Sequence, residues 1–126
     1  MNMFRWKIAI SCIAACVIVS AAAKRASPKE VSPAIFDGIR YSVEGNGRDQ
    51  YVKATEISSG NVLWTVRVFH NRINPKLEED VQWVFITDLK HVDNSLLVKD
   101  ERSRCYSVDL AKKRVVKRAC DGIFSK

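Results

Sequence analysis

Glycine and proline are scarce, at five and three of 126 residues, which excludes collagen-like and low-complexity architectures. Cysteine is scarce as well. There are four, too few for a disulfide-dense miniprotein, and two of them fall within the first 16 residues. The two histidines, His70 and His91, stand 21 residues apart with no second histidine or cysteine at metal-ligand spacing. The chain has no Gly-x-Ser-x-Gly nucleophile elbow and no glycine-rich phosphate loop, so neither chemistry has its usual carrier. No stretch after residue 23 sustains helical periodicity beyond a turn or two. Against these shortages, 47% hydrophobic and 28% charged residues are globular values, and the length suits one domain.

Acid is also in short supply, and unevenly so. The net charge is +7, of which Arg5 and Lys7 carry two. Residues 24–98 balance ten bases against ten acids, whereas residues 99–126 set nine bases against four acids. That C-terminal segment therefore holds the whole excess of the remaining chain. Such asymmetry suits either a solvated face that keeps the protein soluble or an anionic partner, whether lipid head groups of an envelope surface, nucleic acid or an acidic protein face. Nucleic acid is disfavoured because Tyr106 and Phe124 are the segment's only aromatics, and base stacking needs them interleaved with the cations.

Residues 1–23 have the order of a secretory signal. Arg5 and Lys7 precede an apolar run from Ile8 that closes on Ser20-Ala21-Ala22-Ala23, and polarity returns at Lys24-Arg25. The 16 residues from Ile8 to Ala23 fall short of the roughly 20 needed to span a bilayer as a helix. Small side chains at Ala21 and Ala23 suit cleavage after Ala23. A second cut is open: Ile13-Ala14-Ala15-Cys16 resembles the lipobox of bacterial lipoproteins, in which the cysteine becomes a lipidated first residue. The apolar continuation from Val17 to Ala23 departs from that pattern. Either cut places the product outside the cytoplasm, periplasmic or secreted, with membrane attachment only if Cys16 is lipidated or the leader is retained.

The expected organisation is a signal peptide at 1–23, a flexible spacer at 24–35, a β domain at 36–122 and a short tail at 123–126. Within the domain, runs rich in Val, Ile, Tyr, Trp and Phe alternate with turn residues. Strands are expected at 38–43, 50–56, 62–71, 81–92, 96–99, 104–109 and 115–119. They form one all-β antiparallel meander of six or seven strands, a small sandwich, barrel or blade-like sheet. An open sheet covered by one helix is the other arrangement. Trp83-Val84-Phe85-Ile86 is apolar on both faces, as a central strand would be. The acidic Leu77-Glu78-Glu79-Asp80 reads as a loop or single helical turn and as a solvated edge, not an acid/base pair.

One local resemblance carries geometry. Ala54-Thr55-Glu56-Ile57-Ser58-Ser59-Gly60-Asn61-Val62-Leu63-Trp64 resembles the blade repeat of quinoprotein-type β-propellers, Ala-x-Asp-x-x-Thr/Ser-Gly-x-x-x-Trp, with Glu56 in place of the aspartate. Ser107 to Lys117 echoes it 53 residues later, without the glycine or the tryptophan. Two blades cannot close a propeller, so the resemblance implies no quinone cofactor here. It implies two hairpins with similar four-residue turns.

Cys105 and Cys120 are the cysteines left after cleavage, and they flank a hairpin turning near Lys112-Lys113. A two-residue loop would set them directly opposite, and a four-residue loop one pair apart on the same face. In an oxidising compartment they are expected to form a disulfide, which would hold Arg104, Arg114, Lys117 and Arg118 in one basic ribbon. The chain then reads as a non-enzymatic exported binding module, without catalytic, cofactor or metal residues. The second reading is a toxin-neutralising immunity or inhibitor protein. A pocket joining His70 or His91 to a carboxylate would point instead to an enzyme.

Overall fold

The structure, a computed structural model, describes residues 28–124. These form two four-stranded antiparallel sheets stacked as a small sandwich. The first runs in order through β1 (Ala34–Phe36), β2 (Ile39–Gly45), β3 (Asp49–Glu56) and β4 (Val62–His70). The second runs through β5 (Ile86–Val92), β6 (Ser95–Asp100), β7 (Cys105–Asp109) and β8 (Val115–Arg118). The fold is thus all-β as expected, but with eight strands, and the meander breaks once to make two sheets.

Alternation selects the buried faces. Tyr41 on β2, Val52 and Ala54 on β3, and Trp64 and Val66 on β4 meet Leu96, Val98, Tyr106 and Val108 of the second sheet. The opposite face of the first sheet carries Arg40, Glu44, Lys53 and Arg67, and Lys53 pairs there with Glu44 at 3.3 Å. A face of this composition is solvated without a cover.

The structure departs from the expected strands in two places, one strand beyond those expected and one that is shorter than expected. β1 begins at Ala34, inside the segment assigned to the spacer, and pairs Ala34 with Tyr41 and Phe36 with Ile39. The Asp37-Gly38 turn makes this three-residue strand, since both residues take positive φ, at 51° and 73°. The expected strand 81–92 is a strand only from Ile86, and it lies at a sheet edge, not in the centre. Asp80–Gln82 form a 3-10 turn, and Trp83 to Phe85 carry the chain from one sheet to the other. These residues are apolar on both sides because a crossing segment has sheet ends to cover. Trp83 presses on Gly47, whose φ of 87° and missing Cβ leave it room, and Val84 donates its N–H to the Gly47 carbonyl at 3.1 Å.

The two sheets do not present equivalent faces to each other. Matching their final turns sets Val52 and Ala54, which point into the sandwich, in the places of Cys105 and Ser107, which point away from it. The second sheet therefore has an outer face equivalent to the buried face of the first, and Leu97 and Cys105 on it are only 3% and 4% exposed. The C-terminal segment lies over that face. Lys90, the ladder partner of Leu97, reaches the Ile123 carbonyl with its ammonium at 3.4 Å, and Cys120 is bonded to Cys105.

Candidate functional site: the basic hairpin

The β7–β8 hairpin is built by its turn. Asp109 donates its N–H to the Arg114 carbonyl at 2.9 Å and accepts at its own carbonyl from Lys113 at 2.7 Å. Its carboxylate caps the loop by accepting from the backbone of Ala111 and Lys112 at 2.9 and 2.8 Å. Lys113 takes φ 56°, the left-handed region that disfavours side chains. The β3–β4 turn is the same object: Glu56 bonds the Asn61 carbonyl, and Gly60, at φ 74°, bonds Glu56, both at 2.8 Å. Both loops hold four residues between the paired ends, which is the similarity implied by the propeller-blade resemblance.

The four-residue loop fixes the register at Cys105 opposite Arg118, leaving Cys120 one pair further along. The chain leaves the ladder after Arg118, and this departure closes the diagonal. Cys105 and Cys120 form a disulfide with Cα atoms 5.3 Å apart, within the range the bond requires. Ala23 and Cys16, the two candidate processing positions, lie outside the described residues.

The four cations of the ribbon do not share one role. Arg104 serves the structure: its Nε donates to Asp100 Oδ2 at 2.7 Å, and its guanidinium lies 5.6 Å from the Phe69 ring centre. Asp100 has a side chain with no solvent exposure and also accepts from the backbone of Arg102 and Arg104, at 2.9 and 3.0 Å. Tyr106 donates its hydroxyl to the same carboxylate at 3.3 Å. Burial and the neighbouring Asp100 charge push the Tyr106 phenol above its ordinary range. Sequence reasoning missed Asp100. The available signal was an aspartate two residues before Arg102-Ser103, where a carboxylate can cap the turn.

Arg114 and Arg118 project on the outer face with Val116, along a depression that Asp109, Asp121 and Ser107 also line. Lys117 projects on the opposite side of β8, and a second depression at the end of the strand is lined by Lys117 and Arg118 together with Ser103, Arg104 and the disulfide. Arg118 has one distant carboxylate neighbour, Asp121 at 3.8 Å. The structure thus leaves Arg114, Lys117 and Arg118 on both flanks of one exposed strand.

The histidines fall on different sheets. His70 Nδ1 lies 2.7 Å from Asp49 Oδ1 at the end of the β3–β4 ladder, and Arg67 reaches the same oxygen at 3.5 Å. His70 is 55% exposed, so the trio lies on an open sheet end. His91 stacks on Phe36 with ring centres 4.0 Å apart and lies near Tyr41. Among the described residues no group of three or more metal-ligating side chains is assembled. The acidic run is divided: Glu79 pairs with Arg48, and Asp80 opens the 3-10 turn. No protein-family model and no curated protein matches the chain.

Proposed function

We propose that the protein is an exported, non-enzymatic binding module whose contact surface is the basic β7–β8 hairpin. The observation that carries this reading is the division of labour within the hairpin. A disulfide, a capped turn and the bond from Arg104 to the buried Asp100 hold it rigid, while Arg114, Lys117 and Arg118 remain solvent-facing. Rigid presentation lowers the ordering cost of binding, and grouped cations steer an anionic partner.

Affinity capture from the native cell envelope tests this. The protein and its Arg114→Glu/Lys117→Glu/Arg118→Glu variant serve as baits. A partner retained by the first and lost by the second supports the reading, and equal recovery refutes it. A secreted toxin as that partner would assign the neutralising role.

A further inference from the structure

β8 has an open edge. Alternation from the bonded Asp109–Arg114 pair turns the backbone groups of Arg114, Val116 and Arg118 towards β7 and those of Val115 and Lys117 away from it. Among the described residues none bonds to these outward groups.

The other edges are blunted. The β3–β4 ladder is broken by two register shifts and the β5–β6 ladder by one, and β1 has three residues and lies against β5. Bulges and shortness are the usual protections of a sheet edge. β8 pairs through four consecutive positions without a shift, and Val116 on it is 54% exposed.

We infer that β8 is a docking edge to which an extended acidic segment of a partner protein adds as a further antiparallel strand. The inference rests on the reading of the hairpin as the binding surface and specifies how that surface is used. Main-chain bonds from Val115 and Lys117 supply affinity, and side chains on alternating faces supply selection. A second copy of this chain is a poor occupant, because β8 paired with itself about Val116 sets the Arg114 of one copy directly opposite the Arg118 of the other.

The antiparallel register defines the partner's pattern. Acids stand opposite Arg118, Lys117 and Arg114, an apolar residue opposite Val116 and a β-branched one opposite Val115. In chain order this is Glu-Glu-Val-Thr-Glu. The second glutamate and the threonine exchange backbone bonds with Lys117 and Val115, whereas the valine directs its N–H away.

The probe is the fluorescein-labelled peptide Thr-Thr-Glu-Glu-Val-Thr-Glu-Thr-Thr, titrated by polarisation against the full chain with its disulfide intact. N-methylation at the second glutamate or the threonine is expected to weaken binding about tenfold through loss of a backbone bond. N-methylation at the valine is expected to leave it within about twofold, since that N–H faces away. On the protein, Lys117→Ala and Lys117→Pro lose the same charge, but only the proline also loses the outward N–H. The proline variant is expected to bind about tenfold more weakly than the alanine variant. If all three methylated peptides bind like the parent, strand addition is wrong while a purely electrostatic surface stands. If the parent peptide binds the native chain no better than the Arg114→Glu/Arg118→Glu variant, the basic-surface reading falls as well.

Discussion

Gly60 and Lys113 occupy the same position in two turns 53 residues apart, each donating its N–H back to an acidic residue four positions earlier. Glycine takes the left-handed conformation without penalty, whereas a lysine there is held against its preference. The second turn compensates with its carboxylate, since Asp109 caps two loop N–H groups.

Lys113→Gly is accordingly expected to stabilise the protein by about 0.5–1 kcal/mol, the relieved strain exceeding glycine's extra unfolded-state entropy. Gly60→Ala is expected to destabilise it by about 1 kcal/mol, because the loop must then hold a side chain at positive φ. Urea midpoints of the two variants should move in opposite directions.

The sequence made these hairpins legible because their signals are local. Asp109 and Gly60 are turn residues at fixed offsets, and alternation in Trp64, Val66 and Val68 assigns a buried face within a few residues. The break between the sheets was not local. Trp83 to Ile86 has the composition of a buried strand, and only Gly47, some 36 residues earlier, turns it into a crossing segment. The same limit applied to the hairpin's cations. Arg104 and Arg118 look alike in sequence, and burial of Asp100 distinguishes the structural one from the exposed one.

Asp100→Ala should be among the most destabilising single changes, at about 3 kcal/mol. It leaves Arg104 without its carboxylate and two backbone N–H groups without their acceptor. The partial exposure of Arg104 keeps the figure at the low end for a buried pair. Asp100→Asn retains one acceptor oxygen and should cost less, which thermal unfolding of the two variants would check.

Alkaline pH should destabilise the fold through its buried tyrosines. Burial, with Asp100 beside Tyr106 and Asp37 beside Tyr41, raises both phenols above their ordinary value. A group with a raised folded-state pKa contributes stability that is complete below the unfolded value, about 10, and lost as pH climbs through the folded one. Urea midpoints should therefore hold up to about pH 10 and fall above it. In Tyr106→Phe that fall should be shallower, and an unchanged slope would contradict the assignment.

The C-terminal segment should protect the outer face of the second sheet. Removing residues 121–126 is expected to speed amide exchange in β6 around Leu97 while leaving β2 and β3 unchanged. Uniform acceleration would mean that the segment supports the whole fold and not this face.

The hairpin closed by Cys105–Cys120 belongs, on the proposed reading, to an exported binding domain. The bond should contribute on the order of 3 kcal/mol by closing a loop of about 15 residues. Thiol titration of the natural protein, unfolded without reductant, tests that reading most directly when paired with the mass of the same sample. The expected result is a chain beginning at Lys24, or at lipidated Cys16, in which Cys105 and Cys120 react only after reduction. Reactive thiols at both positions before reduction, on a chain still beginning at Met1, would contradict the bridge and the export together.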